Sequence, residues 1–170
     1  VASSNFTSTG SACDTRCRYL EAAPTGWIAS SSPSGQTNCT LAGTSTTDPG
    51  CSWSGNTTGS VATATTFGTG YANSLAIIAQ SGGGSNAGSA ATAARAYQGG
   101  GKADWFLPSL TELNELCKYA RNQTTGNTAT GCNNTGSLRS GYNMWAYWSS
   151  SQNTAVDGLY RNWGNGGYAG

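Results

Sequence analysis

The stretch D-W-F-L-P-S-L-T-E-L-N-E-L-C-K-Y-A-R-N, Asp104 to Asn122, restricts the fold more than any other part of the chain. Pro108 disfavours helix at Leu107. Ser109 suits an N-cap, and Glu112 stands where its carboxylate can return to the Ser109 amide and close a capping box. The spacing predicts a helix that begins at Ser109 or Leu110. Its apolar stripe is Leu110, Leu113, Leu116, Cys117 and Ala120, at steps of three and four. Thr111, Asn114, Glu115, Lys118 and Arg121 fall on the other, polar face, with acids early and bases late as the helix dipole favours. Trp105, Phe106 and Leu107 just ahead supply apolar bulk for the stripe to pack on.

A chain of 170 residues corresponds by length to a single domain, 1–170, with one modest core. Only 9% of residues are charged, against roughly 25% in ordinary soluble domains, so hydroxyls and amides must solvate the surface. Six Trp, eight Tyr and three Phe argue against disorder, because disordered segments are poor in aromatics. A net charge of +1 leaves no electrostatic footprint for nucleic acid. No apolar run approaches the ~18 residues of a membrane span, so no membrane insertion is expected. No signal peptide stands at Val1, and the chain reads as a processed or excised segment.

Cys13, Cys17, Cys39, Cys51, Cys117 and Cys132 are an even set in loop-rich surroundings, which reads as disulfides in an extracellular protein. Local closure suggests Cys13–Cys17, Cys39–Cys51 and Cys117–Cys132, although six cysteines admit about 15 pairings. The spacing of Cys13 and Cys17 also suits zinc. No second close pair follows, however, and the chain has no histidine.

Residues 1–18 read as a short strand or loop pinned by the first cysteine pair. Tyr19 to Ala29 opens as a strand and turns at Pro24 and Gly26. From Ser30 to Thr66 a long Ser/Thr/Gly/Asn segment, with Trp53 its only large side chain, is expected to be tethered by Cys39 and Cys51 and draped over the core. Gly70 to Gln80 reads as a helix with Tyr71, Leu75 and Ile78 on its buried face, widened by Ile77 and stopped at Gly82 to Gly84. A second, Ala-rich helical piece runs from Ala87 to Gln98 and closes at Gly99 to Gly101. Those glycines lack the strand and G-K-[ST] ending of a phosphate loop. Residues 122–134 loop back through Cys132. Alternation over Trp145 to Ser151 and Asp157 to Trp163 predicts two strands joined by a hairpin through Gln152 to Val156. The sequons at Asn5, Asn38, Asn56, Asn122 and Asn133 reflect composition and are expected at the surface.

D-W-F-L-P-S-L-T-E-L-N-E-L, followed some thirty residues on by Y-W-S-S-S at Tyr147 to Ser151, resembles the Lcl C-terminal domain family, named for the adhesive tail of a Legionella collagen-like surface protein. T-G-W-I-A-S-S, G-T-G-Y-A-N and A-R-A-Y-Q-G-G-G-K are similar to segments of longer members, so the resemblance covers about Leu20 to Trp163. It implies an α+β, C-type-lectin-like fold: a twisted antiparallel sheet with two main helices and long disulfide-tethered loops, architecturally related to formylglycine-generating enzymes. It also implies a core role for Trp148 and structural roles for Pro108 and Glu112. Members begin with a V-F-Y-type strand and end with a V-R-P-V-R-A-F strand that pair together. The 170 residues carry neither, and an edge left open in this way invites pairing with another copy.

Chemistry is sparse. Histidine is absent, and Glu112 and Glu115 read as a like-charge pair a turn apart on a helix. Ser149, Ser150 and Ser151 have no base to activate them, so no enzyme is expected. Calcium is possible in such a fold, but no E-P-N or W-N-D motif occurs and Asp157 stands alone; no cofactor is assigned. Sugars are held by stacking on aromatic faces and by amide hydrogen bonds, which points to Tyr142, Asn143, Trp145, Tyr160, Arg161, Asn162 and Trp163. The competing use of these aromatics is as core, for Trp148 above all. The function expected is a binding module on the bacterial cell surface, with a glycan or sulfated polysaccharide as partner. One alternative is an assembly subunit of a fibre or pilus-like appendage, a homo-oligomer or fibre neighbour. Another is a diversified lectin-fold receptor for protein ligands.

Overall fold

The computed structural model describes residues 5–24, 27, 39–40, 50–56, 58–80 and 89–170, of which 39–40 and 89 are described by backbone alone. Expectations for the remainder of Tyr19 to Ala29, for most of the Ser30 to Thr66 segment, for the Gly82 to Gly84 stop, for the start of the second helix and for Asn38 lie outside these residues. The fold is α+β, with antiparallel sheets, three α-helices and disulfides.

Strands β1 (Phe6–Ser8) and β2 (Asp14–Cys17) form an antiparallel hairpin, stapled at its turn by Cys13–Cys17. Strands β3 (Cys39–Thr40) and β4 (Gly50–Cys51) pair in a register that sets Cys39 opposite Cys51, and Cys51 is disulfide-bonded. Helices α1 (Gly70–Ile78), α2 (Ser89–Ala96) and α3 (Leu110–Ala120) follow, with a 3₁₀ turn at Gly99–Gly101 between the last two. The chain then forms an antiparallel sheet of β5 (Ala146–Gln152), β6 (Gly158–Asn162) and β7 (Tyr168–Ala169), in that spatial order. The two expected C-terminal strands are present within a residue at each end, and β7 is added to them.

Several expectations are corrected. Among the described residues there are three α-helices and three small sheets, where the resemblance implied two main helices and one sheet. Residues 18–24 form no strand, because no described strand ladders with them. On α1 the buried residues are Gly70, Asn73, Ser74 and Ile77, while Leu75 is exposed. Polar contacts rather than apolar periodicity set that face. Ser74 Oγ accepts from Leu107 N at 3.0 Å, and Asn73 Nδ2 donates to Ala64 O at 2.7 Å and to Ser150 Oγ at 3.2 Å. A Cβ on Gly70 would run into the Glu112 carboxylate, so only glycine lets α1 approach α3 this closely. Asn56, expected at the surface, is 5% exposed because its side-chain oxygen accepts from Thr58 N and Gly59 N in a turn.

Helix α3 forms as its sequence dictates. Ser109 Oγ accepts from Glu112 N, and Ser109 N donates to Glu112 Oε2 at 2.7 Å, a complete capping box. Its polar face is not solvated, however: Asn114, Glu115, Lys118 and Arg121 are all buried. Residues 122–136 lie over that face. Asn114 Nδ2 donates to Thr130 O and its Oδ1 accepts from Cys132 N. Glu115 Oε2 accepts from Gly126 N, and Lys118 Nζ donates to Asn127 O. The Cys117–Cys132 disulfide fastens the same loop from the apolar side.

The β5 strand sits between two apolar clusters, and its alternation sends neighbours to opposite ones. Tyr147 packs on Leu113, Cys117, Ala120, Cys132 and Trp163; Trp148 packs on Trp53, Ile77 and Ala91. Ser149, Ser150 and Ser151 are buried. Their hydroxyls are spent on structure, with Ser149 Oγ donating to Leu159 O, Ser151 Oγ to Ala64 O, and Ser150 Oγ accepting from Asn73.

Candidate ligand-binding site

A groove of about 2000 Å³ runs between residues 16–24, the 101–108 segment, α3 and the start of β5. One end is walled by Trp27, Tyr97 and Trp105, whose rings lie edge to face or tilted at centroid distances of 5.5 and 5.0 Å. Trp105 Nε1 donates to Gly99 O at 3.0 Å, which fixes the indole.

The other end is built by α3 and the loop before β5. Tyr119 leaves α3 outside the apolar stripe and is 39% exposed, with the Arg139 guanidinium 4.3 Å from its ring centroid. Tyr142 stands edge-on to Tyr119 at 6.3 Å and tilted against Trp163 at 5.2 Å. Trp163 in turn stacks on Tyr147 at 3.9 Å. Asn143 N donates to Tyr147 Oη at 3.2 Å, tying the loop to β5. Trp145 is 74% exposed at the groove rim, beside Met144 at 65%.

Of the seven residues expected to hold a ligand, Tyr142, Asn143 and Trp145 share this groove. Trp163 also reaches it, but as floor: it is fully buried, so its ring offers no free face in this state. Tyr160, Arg161 and Asn162 lie away from the groove. Tyr160 packs edge-on to Trp148 at 5.5 Å, and Asn162 Oδ1 accepts from Gly164 N. Arg161 Nη1 donates to Gly166 O at 2.6 Å, and burial pushes its guanidinium below its ordinary value. Trp148 is half-buried, with Nε1 donating to Cys51 O at 2.9 Å. Sequence reading missed Tyr119, Arg139 and Tyr147. A tyrosine at position 119, off the stripe on a well-capped helix, was the available signal for the first of these.

Glu112, among the groove's lining residues, is held by backbone amides. Glu112 Oε1 accepts from Gly68 N and Oε2 from Ser109 N, so the carboxylate bridges the starts of α1 and α3. Burial pushes its pKa above the ordinary value, and the N–H bonds from Ser109, Gly68 and Gly70 oppose that push without cancelling it. Pro108 O accepts from Ser150 N at 2.7 Å and joins the helix start to β5. Among the described residues no group of three or more His, Cys, Asp or Glu side chains is placed to hold a metal ion. No helix among them is long and apolar enough to cross a membrane. Comparison of the chain with protein-family models, with curated proteins and with solved structures gives no match.

Proposed function

We infer that the chain is a non-catalytic, C-type-lectin-like binding module of an extracellular bacterial surface protein, and that it holds a glycan at the Tyr119–Trp145 end of the groove. The exposed indole of Trp145 carries this reading. A tryptophan left 74% exposed on an otherwise ordered loop loses the benefit of burial, and its flat apolar face suits the C–H face of a pyranose. Arg139, Tyr119, Tyr142 and Asn143 line the same groove as Trp145 and give its wall a mixed cationic, aromatic and amide character.

Calorimetric titration and glycan-array binding with neutral and sulfated polysaccharides test the reading. Binding that Trp145→Ala or Tyr142→Ala abolishes, with the thermal midpoint unchanged for Trp145→Ala, supports it. No binding to any polysaccharide by the folded protein, or binding unaffected by both substitutions, sinks it.

A further inference from the structure

Three side chains on the covered face of α3 are arranged for reaction as well as for packing. Asn114, Glu115 and Lys118 are 5%, 1% and 1% exposed, and every residue of the 122–136 loop over them is described. Lysine and glutamate are almost never buried this far unless paired. Even when they are paired, desolvation can exceed the attraction between the charges, so burial of the pair is weak evidence of a stabilising role alone. Its geometry suits a second use. Glu115 Oε1 accepts from Lys118 Nζ at 2.6 Å and from Asn114 Nδ2 at 3.4 Å, so one carboxylate oxygen touches both nitrogens. Oε2 accepts from Gly126 N at 2.6 Å, which holds the carboxylate between them.

The Asn114 carboxamide is oriented as an electrophile. Its Oδ1 accepts from Cys132 N at 2.7 Å, a backbone donor of the kind that steadies an oxyanion. Its Nδ2 also donates to Thr130 O at 2.9 Å. Asn114 and Lys118 are four apart on the helix, a spacing that sets Cβ atoms about 5–6 Å from one another, and the flexible lysine stem spans that gap. The Asn127 carboxamide is turned away. Lys118 Nζ meets only the main-chain O of Asn127, whose side chain is exposed with Oδ1 accepting from Ala129 N.

We propose that Lys118 and Asn114 are joined by an intramolecular isopeptide bond, Nζ to Cγ, whose formation Glu115 catalyses with release of ammonia. Lys118 passes a proton to Glu115 Oε1, and the neutral amine attacks Asn114 Cγ. Negative charge gathers on Oδ1 against the Cys132 N–H. Glu115 then hands its proton to Nδ2, and the Cγ–Nδ2 bond breaks with its electron pair leaving on ammonia. The surplus proton on Nζ returns to Glu115. The products are a secondary amide, a protonated Glu115 and ammonia, with no change of oxidation state. The bond closes one turn of α3 beneath the loop and removes both charges from the interior. It does not depend on what the groove binds.

Mass spectrometry on the folded 170-residue chain tests this. After reduction and alkylation, trypsin should fail to cut at Lys118, because the amine is acylated. The fragment from Ala103 to Arg121 should be lighter than its sequence mass by one ammonia, and fragment ions from breaks between Asn114 and Lys118 should be missing. Glu115→Gln keeps the shape but cannot take the amine proton, and should restore both the full mass and cleavage after Lys118 while circular dichroism stays native. If that variant does not fold, the unaltered chain decides alone. Normal cleavage after Lys118 would overturn the proposal, as would persistence of the bond in a folded Glu115→Gln protein. A loss of ammonia confined to Asn165–Gly166, where asparagine before glycine can cyclise, would do the same. Loss of water in place of ammonia would make Glu115 the acylating group and would also overturn it.

Discussion

Lys118 Nζ lies 2.6 Å from Glu115 Oε1 on α3, and each of the two residues is only 1% exposed. Their i,i+3 spacing is ordinary for a solvated helix surface, yet here both charges are under the 122–136 loop. Glu115 Oε2 also accepts from Gly126 N, and Lys118 Nζ also donates to Asn127 O. The pair is therefore a clamp on the loop more than a surface ion pair. Removing one charge strands the other in a low-dielectric site, whereas removing both does not. Lys118→Met should cost about 3–5 kcal/mol in urea unfolding. Glu115→Gln with Lys118→Met together should cost clearly less than Lys118→Met alone. A single-substitution cost below about 1 kcal/mol, the size of an exposed pair, would show that the loop does not cover the helix as described.

Glu112 makes a prediction about pH whose sign is opposite to that of a surface carboxylate. Burial raises its pKa above the ordinary 4.5 despite the N–H bonds it accepts. The native state then holds the proton more tightly than the unfolded chain. This contribution to stability is complete below pH 4.5 and is lost as pH rises through the raised native value. Glu112→Gln retains an amide oxygen for the capping box and does not titrate. The unfolding free energy of the unaltered chain minus that of Glu112→Gln should therefore fall as pH is raised from about 4 toward neutrality. A difference that grows over this range would mean the N–H bonds from the two helix starts outweigh desolvation.

Arg121 closes α3 with its guanidinium against backbone carbonyls alone. Nε and Nη2 donate to Trp163 O, Nη2 also to Gly164 O, and Nη1 to Asn134 O and Gly136 O. The side chain thereby ties the helix end to the loop after it and to the segment after β6. A lysine keeps the charge but cannot present a planar fork to four carbonyls. Arg121→Lys should lose about 1–3 kcal/mol by leaving buried carbonyls unpaired. It should also raise hydrogen-exchange rates in residues 132–136 and 163–166. Unchanged exchange in both segments would remove Arg121 from that role.

What the sequence made legible follows from how local each signal was. The capping box, the helix it opens and the β5–β6 hairpin are written in residues a few positions apart, and the structure has all of them. The Cys117–Cys132 bridge was readable from loop closure. The fates of Asn114, Glu115, Lys118 and Arg121 were not, because polarity marks a solvated face only when nothing covers it. Their hydrogen-bond partners outside the helix lie 9 to 43 residues away, in segments with no pattern of their own. The buried face of α1 was misread for a related reason. Its small and polar residues, Gly70, Asn73 and Ser74, pack closely through specific hydrogen bonds, which a search for an apolar stripe passes over. At the candidate site, composition identified aromatics but could not separate floor from rim. Trp145 and Trp163 look alike in sequence, yet one is 74% exposed and the other 0%.

That contrast gives the sharpest separation of scaffold from ligand surface. Trp163 is enclosed by Tyr142, Tyr147 and the Leu113 cluster, so truncating it removes a large buried ring. Trp163→Ala should cost about 3–5 kcal/mol and should weaken ligand binding only through loss of folded protein. Trp145→Ala removes a ring that already faces water, and its stability should change by no more than about 0.5 kcal/mol. If Trp145 is the stacking platform, glycan affinity should nevertheless fall at least about tenfold, the value of roughly 1.4 kcal/mol in binding. Thermal unfolding and calorimetric titration on both variants check the pair together. A Trp145→Ala protein that binds as tightly as the unaltered chain would move the ligand away from this end of the groove, whatever Trp163→Ala does to stability.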